Sequence, residues 1–166
     1  MINSKNPLIY IVDDDVPFRK MINAFLHQNR LTNIKQFSTG EEMLEQFLIT
    51  APSIVVQDFD LGPNKLTGLE VLKKAREIKP AIDFIFLSGQ NSINIAVDII
   101  KNGAYDYVIK DDTAQDNLLN RIKKLVFQVR LIRSEKIFKR GLILFVSLLI
   151  ITVIICYLIG FRVERV

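Results

Sequence analysis

The chain has 166 residues, enough for one ordinary domain and an appendage but too few for two full domains. Its net charge of +4 is unevenly placed: residues 1–120 carry a net −4, residues 121–140 a net +7, and the last 26 residues a net +1. Because the basic excess lies beside an apolar run, it argues for a membrane-proximal flank and against a nucleic-acid-binding surface, while the single Cys156, inside that run, excludes a disulfide framework.

In chain order, Leu8–Val12 reads as a strand; it is too short for a signal peptide and runs into three acids, which predicts that the N-terminal part stays in the cytoplasm. Pro17–Asn29 follows with helical spacing, and the lone His27, in the polar stretch His27-Gln28-Asn29-Arg30, reads as a surface residue rather than a ligand. Strand Ile34–Phe37 and helix Glu41–Ile49 come next, the helix started by Thr39-Gly40. Strand Ile54–Val56 precedes helix Leu69–Ile78, started by Thr67-Gly68. Strand Phe84–Leu87 precedes helix Ile93–Asn102, started by Ser92 and stopped by Asn102-Gly103. Strand Tyr107–Ile109 and a last helix from about Ala114 complete five β-α units. Short, uniformly apolar strands imply burial on both faces, so the pattern predicts an α/β fold with an open, doubly wound, five-stranded parallel sheet. Ligands in such a fold bind beyond the carboxyl ends of the strands.

Those ends carry chemistry. Strand one runs into Asp13-Asp14-Asp15, strand three into Asp58 with Asp60 beyond, strand four ends at Ser88 and strand five at Lys110. Three carboxylates brought together need a cation, and hard oxygen donors in that number suit Mg²⁺. A lysine and a hydroxyl on the same rim offer positive charge and a donor to phosphoryl oxygens, and a carboxylate can itself be the nucleophile that forms an acyl phosphate. Singly, each residue is ordinary, since Asp at a strand end is a common cap for the next helix. It is the four matching residue types at four successive strand ends that point to a site.

Leu8-Ile-Tyr-Ile-Val-Asp-Asp-Asp15, Asp58, Phe84-Ile-Phe-Leu-Ser88 and Gly103-Ala-Tyr-Asp-Tyr-Val-Ile-Lys110 resemble the receiver domain of bacterial response regulators, over residues 7 to about 127. The resemblance implies a flavodoxin-like sheet of order 2-1-3-4-5. It implies that Asp58 accepts a phosphoryl group from a histidine kinase or phosphotransfer protein. It also implies that Asp14, Asp58 and the main-chain carbonyl of Asp60 bind Mg²⁺, with Asp13 helping through water. Ser88 would hydrogen-bond the phosphoryl group, Lys110 would pair with it, and Tyr107 would turn to report the change. Such a protein is not an enzyme beyond catalysing its own phosphorylation and dephosphorylation. Two departures from the family stand out. Asp111 follows Lys110 where proline is usual, and a cis bond there would cost about 2.5–4 kcal/mol, so either the loop takes another shape or packing holds the strain. The segment from Asp58 to Gly68 is two residues longer than usual; Asp60 and Gln90 flank the phosphoryl position and are expected to tune its hydrolysis.

From Gly141 to Phe161 no residue is charged, and 21 residues at about 1.5 Å each span about 30 Å, the thickness of a bilayer core. Five basic residues in Arg130–Arg140 precede the run and two follow it, which predicts a single-pass helix with the receiver on the cytoplasmic side. The organisation expected is a receiver at 1–127, a basic juxtamembrane helical extension at 128–140, a transmembrane helix at 141–161 and a short tail at 162–166. Leu118, Ile122, Leu125, Val129 and Ile132 form a stripe whose first half packs on the sheet and whose second half could pair with another copy, giving a homodimer. The function expected is a membrane-tethered phosphoacceptor without its own output domain, acting on an unknown downstream protein. The alternatives are a phosphotransfer intermediate or phosphate sink, and a degenerate receiver serving as a constitutive interaction module.

Overall fold

The protein is described by a computed structural model, which covers residues 6–89, 93–128, 142, 144–147 and 150–151. Five strands, β1 (Ile9–Val12), β2 (Ile34–Phe37), β3 (Ile54–Asp58), β4 (Asp83–Ser88) and β5 (Asp106–Ile109), form one sheet in the order β2-β1-β3-β4-β5. Every pairing is parallel. The helices are α1 (Val16–Gln28), α2 (Gly40–Ile49), α3 (Gly68–Ile78) and α4 (Ile93–Lys101), with α5 described at 114–128. The chain divides into two compact units, Met1–Val126 and Phe127–Val166.

The first three helices start where a side chain can satisfy their free N–H groups. Asp15 caps α1, which carries proline in its first turn; Thr39 caps α2; and Thr67 caps α3 in a reciprocal box with Glu70. Gly103 ends the turn after α4 at a φ of 92°, a conformation that only glycine adopts freely. A Cβ there would also overlap the Arg76 guanidinium, which donates from α3 to the Asn102 and Gly103 carbonyls.

Two apolar layers sandwich the sheet. One joins Ile9, Ile11, Ile54, Val56, Ile85 and Leu87 to α1 and to Leu118, Ile122 and Leu125 of α5; the other joins Tyr10, Val55, Phe84 and Phe86 to α2, α3 and Ile99 of α4. β1 and β3 are buried throughout, as the apolar runs Ile9–Val12 and Ile54–Val56 require, and β3 carries Gln57 and Asp58 into the buried layer at its end. β2 differs from the expectation of uniformly apolar strands: Lys35 and Gln36 are exposed, because β2 is an edge with only one neighbour. The order reverses between β1 and β3, which opens a crevice at their carboxyl ends.

The transmembrane segment expected at 141–161 falls mostly outside the described residues. Within it, residues 142, 144–147 and 150–151 are helical, and their large apolar side chains are exposed. Among the described residues no helix is long and apolar enough to cross a membrane. Val129 and Ile132, the second half of the stripe, also lie outside the described residues, as do Gln90 and Ser92.

Candidate functional site

The three consecutive acids after β1 have three different fates. Asp13 is fully buried; its Oδ1 accepts from the Asp15 amide at 2.9 Å, and its main-chain carbonyl accepts from the Arg19 guanidinium. Asp14 is exposed at the rim of the site. Asp15 is spent on capping α1, accepting from the Phe18 amide at 3.1 Å. Asp58, the last residue of β3, is 6% exposed, and Ser88, the last of β4, is buried beside it in the strand order.

Lys110, just past β5, closes the site. Its ammonium lies 2.7 Å from Asp58 Oδ2 and 2.7 Å from Asp13 Oδ2, and 4.6 Å from the centre of the Phe18 ring. The contact to Asp58 is a hydrogen bond. That to Asp13 is an ion pair with a carboxylate that is fully buried. Lys110 also donates its main-chain N–H to the Ser88 carbonyl at 2.8 Å, which fixes where its side chain begins.

The residue after Lys110 settles the question of the missing proline. Among the described residues there is no cis peptide bond. Asp111 instead accepts from the Thr113 amide at 2.8 Å and from its hydroxyl at 2.7 Å, a local turn that leads into α5 and holds the Asp111 carboxyl below its ordinary range. Lys110 therefore reaches the acids through a different turn chemistry.

Carboxylate oxygens of Asp13, Asp14 and Asp58 all lie within 4.8 Å of one another, a hard-oxygen cluster fitted to a divalent cation such as Mg²⁺. The Asp60 carboxylate is not in this cluster: it is exposed and accepts from the Gly62 amide at 3.0 Å, shaping the loop. Tyr107 is half-buried and packs on the layer containing Phe84, Phe86 and Ile99, on the α4 side of the sheet. His27 is exposed, as expected. Phe18 beneath Lys110, Arg19 on the Asp13 carbonyl and Lys65, 3.9 Å from Asp14 Oδ2, are additions that spacing along the chain did not single out. For Phe18 the available signal was its place one turn into the helix that Asp15 caps.

Burial dominates the electrostatics. It raises Asp58 from 3.8 to about 6; the Lys110 hydrogen bond works against that rise and the nearby Asp13 charge adds to it. Burial likewise raises Asp13, against the pull of Lys110. For Lys110, burial alone would lower the pKa, but the two carboxylates outweigh it and hold it above the ordinary lysine value.

A carboxyl whose pKa is higher folded than unfolded favours folding most below the unfolded value, and loses that contribution as pH rises through the folded one. Without divalent cations, Asp58→Asn is therefore expected to be more stable than wild type at pH 7.5, by about 1–3 kcal/mol from a shift of this size. The advantage should vanish below about pH 4, where both forms are neutral. Urea unfolding of both chains at the two pH values checks this.

A family model described as the response regulator receiver domain matches residues 9–123. The chain is 28% identical to the chemotaxis protein CheY of Bacillus subtilis over 116 residues, covering 70% of this chain and 94% of that one. It is also 28% identical over 127 residues to the transcriptional regulatory protein ZraR of Escherichia coli O157:H7, covering 76% of this chain but 28% of ZraR, so it spans less than a third of that regulator. Among solved structures, a BeF3-activated DrrB receiver domain matches with a TM-score of 0.62 and 31% identity, covering 71% of this chain and 95% of that one.

Proposed function

Because this chain belongs to the response regulator receiver domain family, we propose that it is a phosphoacceptor switch in which Asp58 takes a phosphoryl group from a histidine kinase or phosphotransfer protein. The observation that carries the reading is the single Lys110 ammonium shared between the buried Asp13 and Asp58 carboxylates at the carboxyl edge of the sheet. One Asp58 carboxylate oxygen attacks phosphorus as the phosphorus–nitrogen bond of the donor phosphoimidazole breaks, and the imidazole leaves with the bonding electrons. With a pKa of about 6, Asp58 is mostly ionised at neutral pH and ready to attack. Asp13, Asp14 and Asp58 would hold Mg²⁺, with the Asp60 main-chain carbonyl as a further ligand. When bound, the ion would supply positive charge to the phosphoryl oxygens.

The new group brings about −1.5 to −2 charges to Asp58. Lys110 is already there to meet them, and Ser88, at the end of the adjoining strand, donates its hydroxyl to a phosphoryl oxygen. Their shift makes room for Tyr107 to turn, changing the surface built from α4, β5 and α5. Downstream signalling then runs through protein contacts. The uncharged run 141–161 and the basic residues before it support a membrane tether with the receiver on the cytoplasmic side.

Incubating the full chain with Mg²⁺ and acetyl phosphate is expected to label wild type and leave Asp58→Asn unlabelled, as read by intact mass. No label on wild type, or undiminished label on Asp58→Asn, would sink the proposal. The tether is tested separately, by asking whether the expressed chain sediments with membranes and resists extraction by alkaline carbonate.

A further inference from the structure

The lengthened segment between β3 and α3 does more than connect them. Leu61 is buried in the apolar layer beside α3, the Gly62 amide is held by Asp60, and the Leu66 amide donates to Glu41 Oε1 at 2.8 Å. Gly62, at a φ of 83°, brings this backbone so close that a Cβ on it would lie 3.4 Å from Asp14 Oδ2. The loop is thus anchored on both sides of Lys65, whose ammonium lies 3.9 Å from that same Asp14 oxygen. The three clustered carboxylates therefore meet two lysines, Lys110 between Asp13 and Asp58, and Lys65 at Asp14.

We infer that Lys65 is a loop-borne counter-ion that holds Asp14 and competes with a divalent cation for it, setting how tightly this site binds Mg²⁺. The two lysines differ in kind. Lys110 is 16% exposed and serves buried partners, whereas the Lys65–Asp14 pair is 31% and 39% exposed, so it is weak and readily exchanged. Anchoring of the loop keeps the displaced ammonium near the ion, and its repulsion lowers the site's affinity. A repulsion of this kind, discounted for water and salt, is worth roughly a three- to tenfold change in dissociation constant.

The inference rests on the phosphoacceptor reading, and the test separates the two. Magnesium chloride is titrated calorimetrically into the full chain in non-ionic detergent at low salt. Variants Lys65→Met and Lys65→Arg are compared with Lys73→Met, an exposed charge on α3. Lys65→Met is expected to bind Mg²⁺ three- to tenfold more tightly than wild type. Lys65→Arg should bind like wild type, and Lys73→Met should change little. At 0.5 M sodium chloride the gap between Lys65→Met and wild type should shrink, because screening acts on exposed charges first. Unchanged or weaker binding in Lys65→Met overturns the inference. So does equal tightening in Lys73→Met, which would reduce the effect to net charge. A wild type that binds no Mg²⁺ while remaining folded brings down the phosphoacceptor reading and this inference with it.

Discussion

Lys110→Met is expected to destabilise the chain by about 3–5 kcal/mol at pH 7.5 without divalent cations. Methionine keeps the length of the side chain and its packing on Phe18, so the loss isolates the charge. Asp13 and Asp58, both buried, would then face each other with no cation between them, and an uncompensated buried charge costs far more than a good pair contributes. The deficit has two remedies that follow from the same geometry. Lowering the pH neutralises Asp58, whose carboxyl titrates higher still once the Lys110 charge is gone, and should recover much of the stability. Adding millimolar Mg²⁺ should do the same at neutral pH, by binding the folded cluster and not the unfolded chain. Urea unfolding under the three conditions measures all of this. A loss below 1 kcal/mol, or one indifferent to both pH and Mg²⁺, would show that Lys110 does not hold the acids together.

Gly68→Ala is expected to cost about 2–3 kcal/mol and to slow phosphorylation of Asp58 by tenfold or more. A Cβ at this position would lie 2.7 Å from the Phe86 ring and 2.8 Å from the main-chain oxygen of Asp58. The ring could give way at some packing cost, but the carbonyl belongs to the phosphoacceptor itself. That carbonyl is already held by the buried Gln57 amide at 2.9 Å, so it cannot move without stranding a polar group. Gly89→Ala is the control, because its Cβ would meet nothing within 4 Å. Unfolding midpoints and labelling rates measured together decide the matter. A variant that is destabilised yet labels at the wild-type rate would show that the strain is relieved on the Phe86 side alone.

The strand and helix positions were legible because propensity, capping and apolar period agree along this chain. Thr39 and Thr67 cap the helices they precede, and Asn102-Gly103 stops α4 where a positive φ is needed. The parallel sheet was legible from the apolar runs Ile9–Val12 in β1 and Ile54–Val56 in β3, but not from β2, whose Lys35 and Gln36 are exposed at an edge. In the site, sequence identified Asp13, Asp14, Asp58, Ser88 and Lys110 as neighbours, since parallel strands bring their carboxyl ends together. It did not divide the labour among Asp13, Asp14 and Asp15, which depends on which residue leaves the strand buried and which caps the next helix. Nor could spacing bring Lys65 to Asp14 across an irregular loop whose path is set by Leu61 and Gly62.

The Arg76 guanidinium, which grips the Asn102 and Gly103 carbonyls from α3, gives α4 a mechanical asymmetry. One end of the helix, at Lys101, is riveted to its neighbour; the other, at Ile93, lies toward the edge where β4 ends in Ser88. The end of α4 away from the acids is thus the one that α3 holds in place. On the phosphoacceptor reading, any displacement of α4 set off by charge at Asp58 would be smallest at this tied end.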